Sequence, residues 1–315
     1  MENQQELQQA LDNIKKNYGE FAYDIPLPFD IWTRGNRQVP HTRLKRIVQI
    51  IGDLTNKPFS ECRILDLGCL DGIFSIELAQ QGAYTVGVEI REANIQKAKF
   101  CKEVLGLKNL EFRQDDVRNI EIESYGMFDV IVCSGILYHL PAMDAIKLIN
   151  RMYEIVHRVV VIDTHISLNP EERIYFCGEE FWGKKYREHS DNALPEEKEM
   201  NLLASIENTT SFWFTRPSLA NLLSQAGFSS VYECFNPPHL NFGKPGLEHI
   251  DRCTFVAIKD EICSLKTSPC ANEINEKLPE GSLSYNIEVN MPEIPVSFFQ
   301  RVKTRFKELL TKSHI

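Results

Sequence analysis

The chain lacks any run of about twenty consecutive apolar residues, so no membrane span is expected. Its opening, MENQQELQQALDNIKKNYGE, lacks the charged-then-apolar layout of a secretory signal. Paired cysteines are missing as well. The nine cysteines, Cys62, Cys69, Cys101, Cys133, Cys177, Cys234, Cys253, Cys263 and Cys270, form no C-x-x-C pair backed by a second one. That argues against a zinc centre or any other metal site. An odd count without a small-scaffold layout suits free thiols in a reducing, cytoplasmic setting, most of them core filler. Positive charge is scarce: 35 Lys and Arg stand against 44 Asp and Glu, a formal net charge of −9. An acidic chain is poorly suited to tracking a phosphate backbone unless a local patch overrides the average, so nucleic acid is not the favoured partner. No internal repeat is visible. With 315 residues, 43% of them hydrophobic, there is enough chain for one large domain with appendages or two small ones.

What is present is an alternation. Residues 1–17 place Leu7, Leu11 and Ile14 at helical spacing, followed by a proline-broken segment to residue 41. A helix is expected over Thr42–Leu54. Then come CRILDLG as strand, GIFSIELAQQG as helix, YTVGVE as strand, EANIQKAKFCKEVLG as helix, LEFRQDD and MFDVIVCSGIL as strands, MDAIKLINRMYEIV as helix and RVVVIDTHI as strand. The rhythm breaks over 167–214 and resumes with RPSLANLLSQAGF as helix, SSVYECF and CTFVAIK as strands. Val- and Ile-rich strands alternating with helices predict an α/β fold: a doubly wound, Rossmann-like, mostly parallel sheet of seven strands covered on both faces. Three regions follow: 1–41 as N-terminal helix and lid, 42–260 as the main domain with an insert at 167–214, and 261–315 as linker and C-terminal helix. In that last helix Phe298, Val302, Phe306 and Leu309 mark one face and basic residues another, fit for a membrane surface or a protein contact.

Parallel sheets hold ligands at the carboxyl ends of their strands. The first such end reads LDLGCLDG, where Gly68 permits a sharp turn and Gly72 can start the next helix. Neither G-x-G-x-x-G nor G-x-x-x-x-G-K-[ST] fits, and an acid, Asp66, precedes the turn. A carboxylate there disfavours polyphosphate and favours a cation. The second strand ends at Glu89, suited to accepting from ribose hydroxyls. The third ends FRQDDV, where Asp116 can accept from an adenine amino group with Val117 packed on the ring. The inferred ligand carries a ribose, an adenine and a positive group, and no phosphate.

ILDLGCLDG, VGVE, FRQDDV and FDVIVCSGILYHL resemble, in order and spacing, the successive motifs of the class I S-adenosylmethionine-dependent methyltransferases. The resemblance implies S-adenosylmethionine as cofactor. It puts Asp66, Gly68, Cys69 and Gly72 around the methionine part, Glu89 and Ile90 at the ribose, Asp116 and Val117 at the adenine, and Ser134 closing the site. The departure is Leu70, where that family usually has another glycine; its side chain is expected in the core or over the cofactor. Within the class, CSGILYHLPAMDAIKLI, GKKYRE and SFWFTRPSLANLLSQAGF resemble the tRNA wobble-uridine 5-oxyacetate methyltransferase group, although Leu140 follows His139 where that group has a basic residue.

His139 and His165 are the candidate bases, since imidazole titrates near neutrality. Asp163 shares the strand face of His165. Tyr138 is a candidate lid residue, an aromatic face that favours a sulfonium. Trp182, Tyr186 and Trp213 of the insert are expected to wall the acceptor site, with Glu188 as polar anchor. Trp32 and Arg34 are expected over the cofactor entrance, Arg34 on the methionine carboxylate. Three functions stay open: a methyltransferase for a small-molecule or peptide-like acceptor, most simply an O-methyltransferase; a tRNA-modifying enzyme; and a non-catalytic cofactor-binding scaffold.

Overall fold

The computed structural model describes residues 3–36, 42–234 and 251–260. The helix expected over 298–315, the linker before it, the proline-rich 236–246, Cys263 and Cys270 lie outside these residues. Helix α1 (Gln4–Tyr18) starts where the Asn3 side chain accepts the Glu6 amide at 2.9 Å. A small hairpin of β1 (Pro26–Leu27) and β2 (Ile31–Trp32) follows, then α2 (Thr42–Leu54). The alternating core runs through β3 (Arg63–Leu67), α3 (Ile73–Gln80), β4 (Tyr84–Glu89), α4 (Glu92–Leu105), β5 (Leu110–Gln114), the single turn α5 (Ile122–Tyr125), β6 (Phe128–Ser134), α6 (Ala142–Ile155) and β7 (Val156–His165). The insert contributes β8 (Glu172–Phe176), β9 (Glu179–Arg187), α7 (Pro195–Met200) and β10 (Thr210–Phe214); α8 (Arg216–Ala226), β11 (Ser230–Cys234) and β12 (Arg252–Ile258) complete the fold.

The main sheet has seven strands in the order β11-β12-β7-β6-β3-β4-β5, with β12 the antiparallel member. This is the mostly parallel sheet the alternation predicts. The chain winds outward from β3 to β5, then returns to place β6 on the other side of β3. That reversal opens a crevice at the carboxyl ends of β3 and β6. Strand alternation divides the core. Leu65, Leu67, Ile131 and Cys133 face α6 and α8, whereas Ile64, Val130 and Val132 face the layer of α1 to α4. Helix α1 rests on α4 through buried Leu7 and Leu11. Of the seven described cysteines all are free and five are buried. No described helix is long and apolar enough to cross a membrane.

The insert is a separate three-stranded antiparallel sheet, β10-β9-β8. Its period-two pattern sends Phe181, Phe212 and Phe214 into the core beside α8, and leaves Trp182, Lys184, Tyr186 and Trp213 on the opposite face. The sequence pattern of 167–214 is irregular because the strands are short and aromatic residues, buried Trp213 among them, interrupt the polar face.

Candidate active site

A cavity opens at the carboxyl ends of β3 to β6, walled by Gly68, Glu89, Ile90, Asp116, Val117, Ser134, Tyr138 and His139 among others. Its first element is the turn after β3. Gly68 has φ 65°, and a Cβ there would come within 3.0 Å of Ile136, so the turn closes only around glycine. Leu70 also takes a left-handed conformation, φ 50°, which costs a leucine about 1 kcal/mol. Its amide donates to Glu89 Oε2 at 3.1 Å, and the Arg91 amide donates to Oε1 at 2.8 Å. The leucine side chain lines the cavity. Glu89 is buried, and burial raises its pKa against those two amides, which act to lower it.

Several expected positions are displaced from the cavity wall. Asp66 is buried beneath α3 and accepts the Ser75 hydroxyl at 2.5 Å, so it supports the turn from behind rather than facing a cation. Cys69 lies beside it, buried. Gly72 has φ 89°, and a Cβ would stand 2.6 Å from the Phe112 ring; its requirement for glycine comes from the core, not from a ligand. Asp116 is on the wall, but its carboxylate already accepts from the Arg118 amide at 2.8 Å and from the Arg118 guanidinium. His165 is not among the wall residues. It stacks on Trp213, ring centroids 4.7 Å apart, and its Nδ1 lies 3.2 Å from Asp251. Trp213 also stacks on Tyr186 at 4.3 Å and meets the wall residue Tyr138 edge-on at 6.0 Å, whereas Trp182 sits apart under the Arg173 guanidinium; none of the three is itself a wall residue. Trp32 and Arg34 are likewise off the wall: the Trp32 indole binds Asp30, and Arg34 reaches the Ala22 carbonyl.

Residues 58–191 match a family model described as a methyltransferase domain. Over these residues the chain is similar to a methyltransferase domain. It is 31% identical over 104 residues to the ubiquinone biosynthesis O-methyltransferase of Acinetobacter baylyi, covering 33% of this chain and 42% of that protein. It is 29% identical over 141 residues to the enzyme of the same name from Xylella fastidiosa, covering 44% and 56%. The chain thus spans about half the length of these curated relatives. The N-terminal domain of EvdMO1, solved with S-adenosylhomocysteine and D-fucose, superposes with TM-score 0.60 at 22% identity over 82% of this chain and 97% of that one.

The fold brings to this cavity residues that sequence reading missed. Arg91 is buried and gathers four carbonyls of the insert, those of Lys198, Glu199, Asn201 and Ala204, at 2.8–3.3 Å. Arg118 pairs with Glu207 as well as Asp116. These two arginines hold residues 198–207 across the strand ends, so Leu202, Leu203, Ser205, Ile206 and Asn208 become the cavity roof. Arg43 of α2 and Arg252 of β12 also reach the wall, flanking buried Asp163. Arg43 donates to the Tyr23 hydroxyl at 2.9 Å, and Tyr23 lines the cavity where Arg34 was expected. Arg91, two residues past the strand-end acid, carried a faint signal; nothing in the sequence paired it with carbonyls more than a hundred residues away.

The second feature is a dyad. His139 Nδ1 lies 3.0 Å from both carboxylate oxygens of Glu188, which also accepts the Ser211 hydroxyl at 2.7 Å and the Ser205 amide at 3.1 Å. Burial pushes the Glu188 pKa up, but the hydrogen bonds from His139, Ser211 and Ser205 together bring it below its usual value. An ionised carboxylate only accepts, so Nδ1 carries a proton, and in the neutral imidazole Nε2 is the acceptor. Among the described residues no group of three or more His, Cys, Asp or Glu is placed to hold a metal.

Asp66 gives a testable signature. Burial, opposed by Ser75, raises its pKa to about 7. The unfolded chain releases that proton near 3.8, the folded chain near 7, so the stability it contributes is complete below the lower value and lost as pH rises through the upper. Urea titrations of wild type and Asp66→Asn should show the wild-type advantage shrinking from about pH 4 to about pH 8. A pH-independent difference would mean that Asp66 is ionised in the fold throughout.

Proposed function

We propose that the protein transfers the methyl group of S-adenosylmethionine to a hydroxyl of a small-molecule acceptor. The observation that carries this reading is His139, on the wall of a cavity built at the strand ends and paired from behind with Glu188.

The residues present fit the cofactor. Glu89 offers a buried carboxylate for the ribose diol. Ile90 and Val117 supply apolar surface for the adenine, beside Asp116. Ser134 Oγ and Arg43 Nε are buried with no hydrogen-bond partner, both belonging to wall residues, which is what a polar ligand would satisfy. Arg43 with Tyr23 would hold the methionine carboxylate. When bound, the cofactor supplies an electrophilic methyl on a sulfonium, and the broken C–S pair stays on sulfur as the acceptor oxygen forms its new bond. The chain's own task is alignment and exclusion of water. Tyr138 and the roof at 202–208 enclose the acceptor side. His139 Nε2 takes the hydroxyl proton, and Glu188, held by Ser205 and Ser211, fixes the tautomer and steadies the imidazolium that forms. The ubiquinone-pathway O-methyltransferases among the relatives support transfer to oxygen.

Equilibrium dialysis of the full chain against labelled S-adenosylmethionine tests this first. Saturable retention displaced by S-adenosylhomocysteine is expected; no retention by folded protein would end the proposal. Release of S-adenosylhomocysteine over a panel of hydroxylated acceptors tests the second half, and turnover only with amines would refute transfer to oxygen.

A further inference from the structure

Arg91 serves two parts of the cavity from one residue. Its amide donates to Glu89 Oε1 at 2.8 Å, the acid assigned to the ribose. Its buried guanidinium reaches the roof instead: Nε donates to the Glu199 carbonyl at 3.2 Å, and Nη2 to the carbonyls of Lys198, Asn201 and Ala204 at 3.3, 3.0 and 2.8 Å. Lys198 and Glu199 belong to the last turn of α7, whose carbonyls no further turn serves. Residues 198–207 have little apolar contact to hold them. Among the described residues they pair with no strand, and Ala204 is the only buried one of them. The Arg118–Glu207 contact is partly exposed and screened by water. The buried fork of Arg91 is therefore the anchor that sets where the segment lies.

The contact is relayed through one peptide group. The Ala204 carbonyl sits on Arg91, and the amide of the same peptide unit, that of Ser205, donates to Glu188 Oε2 at 3.1 Å. Glu188 is the carboxylate on His139 Nδ1. A peptide group is planar and stiff, so fixing its oxygen fixes the direction of its N–H. A carbonyl that accepts from a cation also polarises its amide, which then donates more strongly at the other end. We propose that Arg91 is a positioning residue for the base: it fixes the Ala204–Ser205 peptide so that Ser205 holds Glu188, and Glu188 holds His139 with its proton on Nδ1. This deepens the reading of His139 as the base and rests on it. Any substitution of Arg91 other than proline keeps the main-chain amide that serves Glu89, so the cofactor side and the base side can be separated by experiment.

The test needs no acceptor. The full chain is labelled with nitrogen-15 histidine, and the ring nitrogens of His139 are read by NMR at alkaline pH, where imidazole is neutral, and assigned by their loss in His139→Gln. Wild type should show a protonated Nδ1 and a bare Nε2. In Arg91→Gln the Nε2-protonated tautomer should rise by about threefold to tenfold, the worth of one amide hydrogen bond to the carboxylate. S-adenosylhomocysteine affinity by calorimetry should stay within about threefold, because the Glu89 contact is main chain. Arg91→Lys keeps the charge without the fork and decides the matter if the glutamine variant does not fold: a partial shift of the tautomer supports the proposal, and a wild-type ratio overturns it. An unchanged ratio in folded Arg91→Gln overturns it too, even if hydrogen exchange over 198–208 becomes faster; His189, whose Nε2 lies 2.5 Å from the Ser205 carbonyl, would then suffice to hold the relay. So does a wild-type ring protonated on Nε2, or a loss of S-adenosylhomocysteine affinity of about tenfold or more, which would move the Arg91 side chain to the cofactor. Unchanged turnover in His139→Ala would sink the reading of His139 as base while leaving this ring signal as it is, so the two failures are distinct.

Discussion

Glu89→Ala should weaken S-adenosylhomocysteine binding by about one to two orders of magnitude, equivalent to about 1–3 kcal/mol for a buried hydrogen-bonded acid. Two losses combine. The ribose loses its acceptor, and the amides of Leu70 and Arg91 lose the carboxylate they donate to at 3.1 and 2.8 Å. The second loss loosens the left-handed turn at Leu70, which forms part of the same wall. Glu89→Gln separates the two, because an amide retains one carbonyl acceptor. It should fall between wild type and alanine. Calorimetry giving wild-type affinity for the alanine variant would remove Glu89 from the site.

His139→Ala should lower turnover by about two to four orders of magnitude with cofactor affinity unchanged, the usual worth of a positioned base. The measurement is S-adenosylhomocysteine release with whichever hydroxylated acceptor the panel finds active, alongside calorimetry with S-adenosylhomocysteine. Glu188→Gln should reduce the rate less, since the imidazole stays in place while a neutral amide no longer steadies the imidazolium. An unchanged rate in His139→Ala would return the histidine to a structural role and would point to an acceptor atom needing no base, such as a carboxylate.

The legibility of this protein differed between framework and site. Strand β4, YTVGVE, and helix α2, Thr42–Leu54, were readable because a strand buried on both faces is continuously apolar and a one-sided helix repeats every three to four residues. Glu89 was readable because its position is set by where a strand ends. His139 was readable for the same reason, one turn beyond β6. The aromatic residues of the insert were readable as important but not as to their neighbours. Trp213 and Tyr186 stack with His165 in a cluster of their own, since short antiparallel strands bury both an apolar face and, in places, an aromatic one. The roof at 202–208 contains no motif, and its position depends on Arg91 and Arg118, whose partners are remote in the chain.

By itself the sequence determined the seven-stranded α/β framework and the acid at the end of β4, because each follows from local periodicity and from turn residues within a few positions. Only the tertiary structure decided that Asp66 and Gly72 stand behind the wall, that Glu188 is the partner of His139, and that Arg43 and Arg252 meet at Asp163. These depend on which side chains separate elements bring within three to four ångströms, and charge pairing across folded distance leaves no periodic trace in the chain that encodes it.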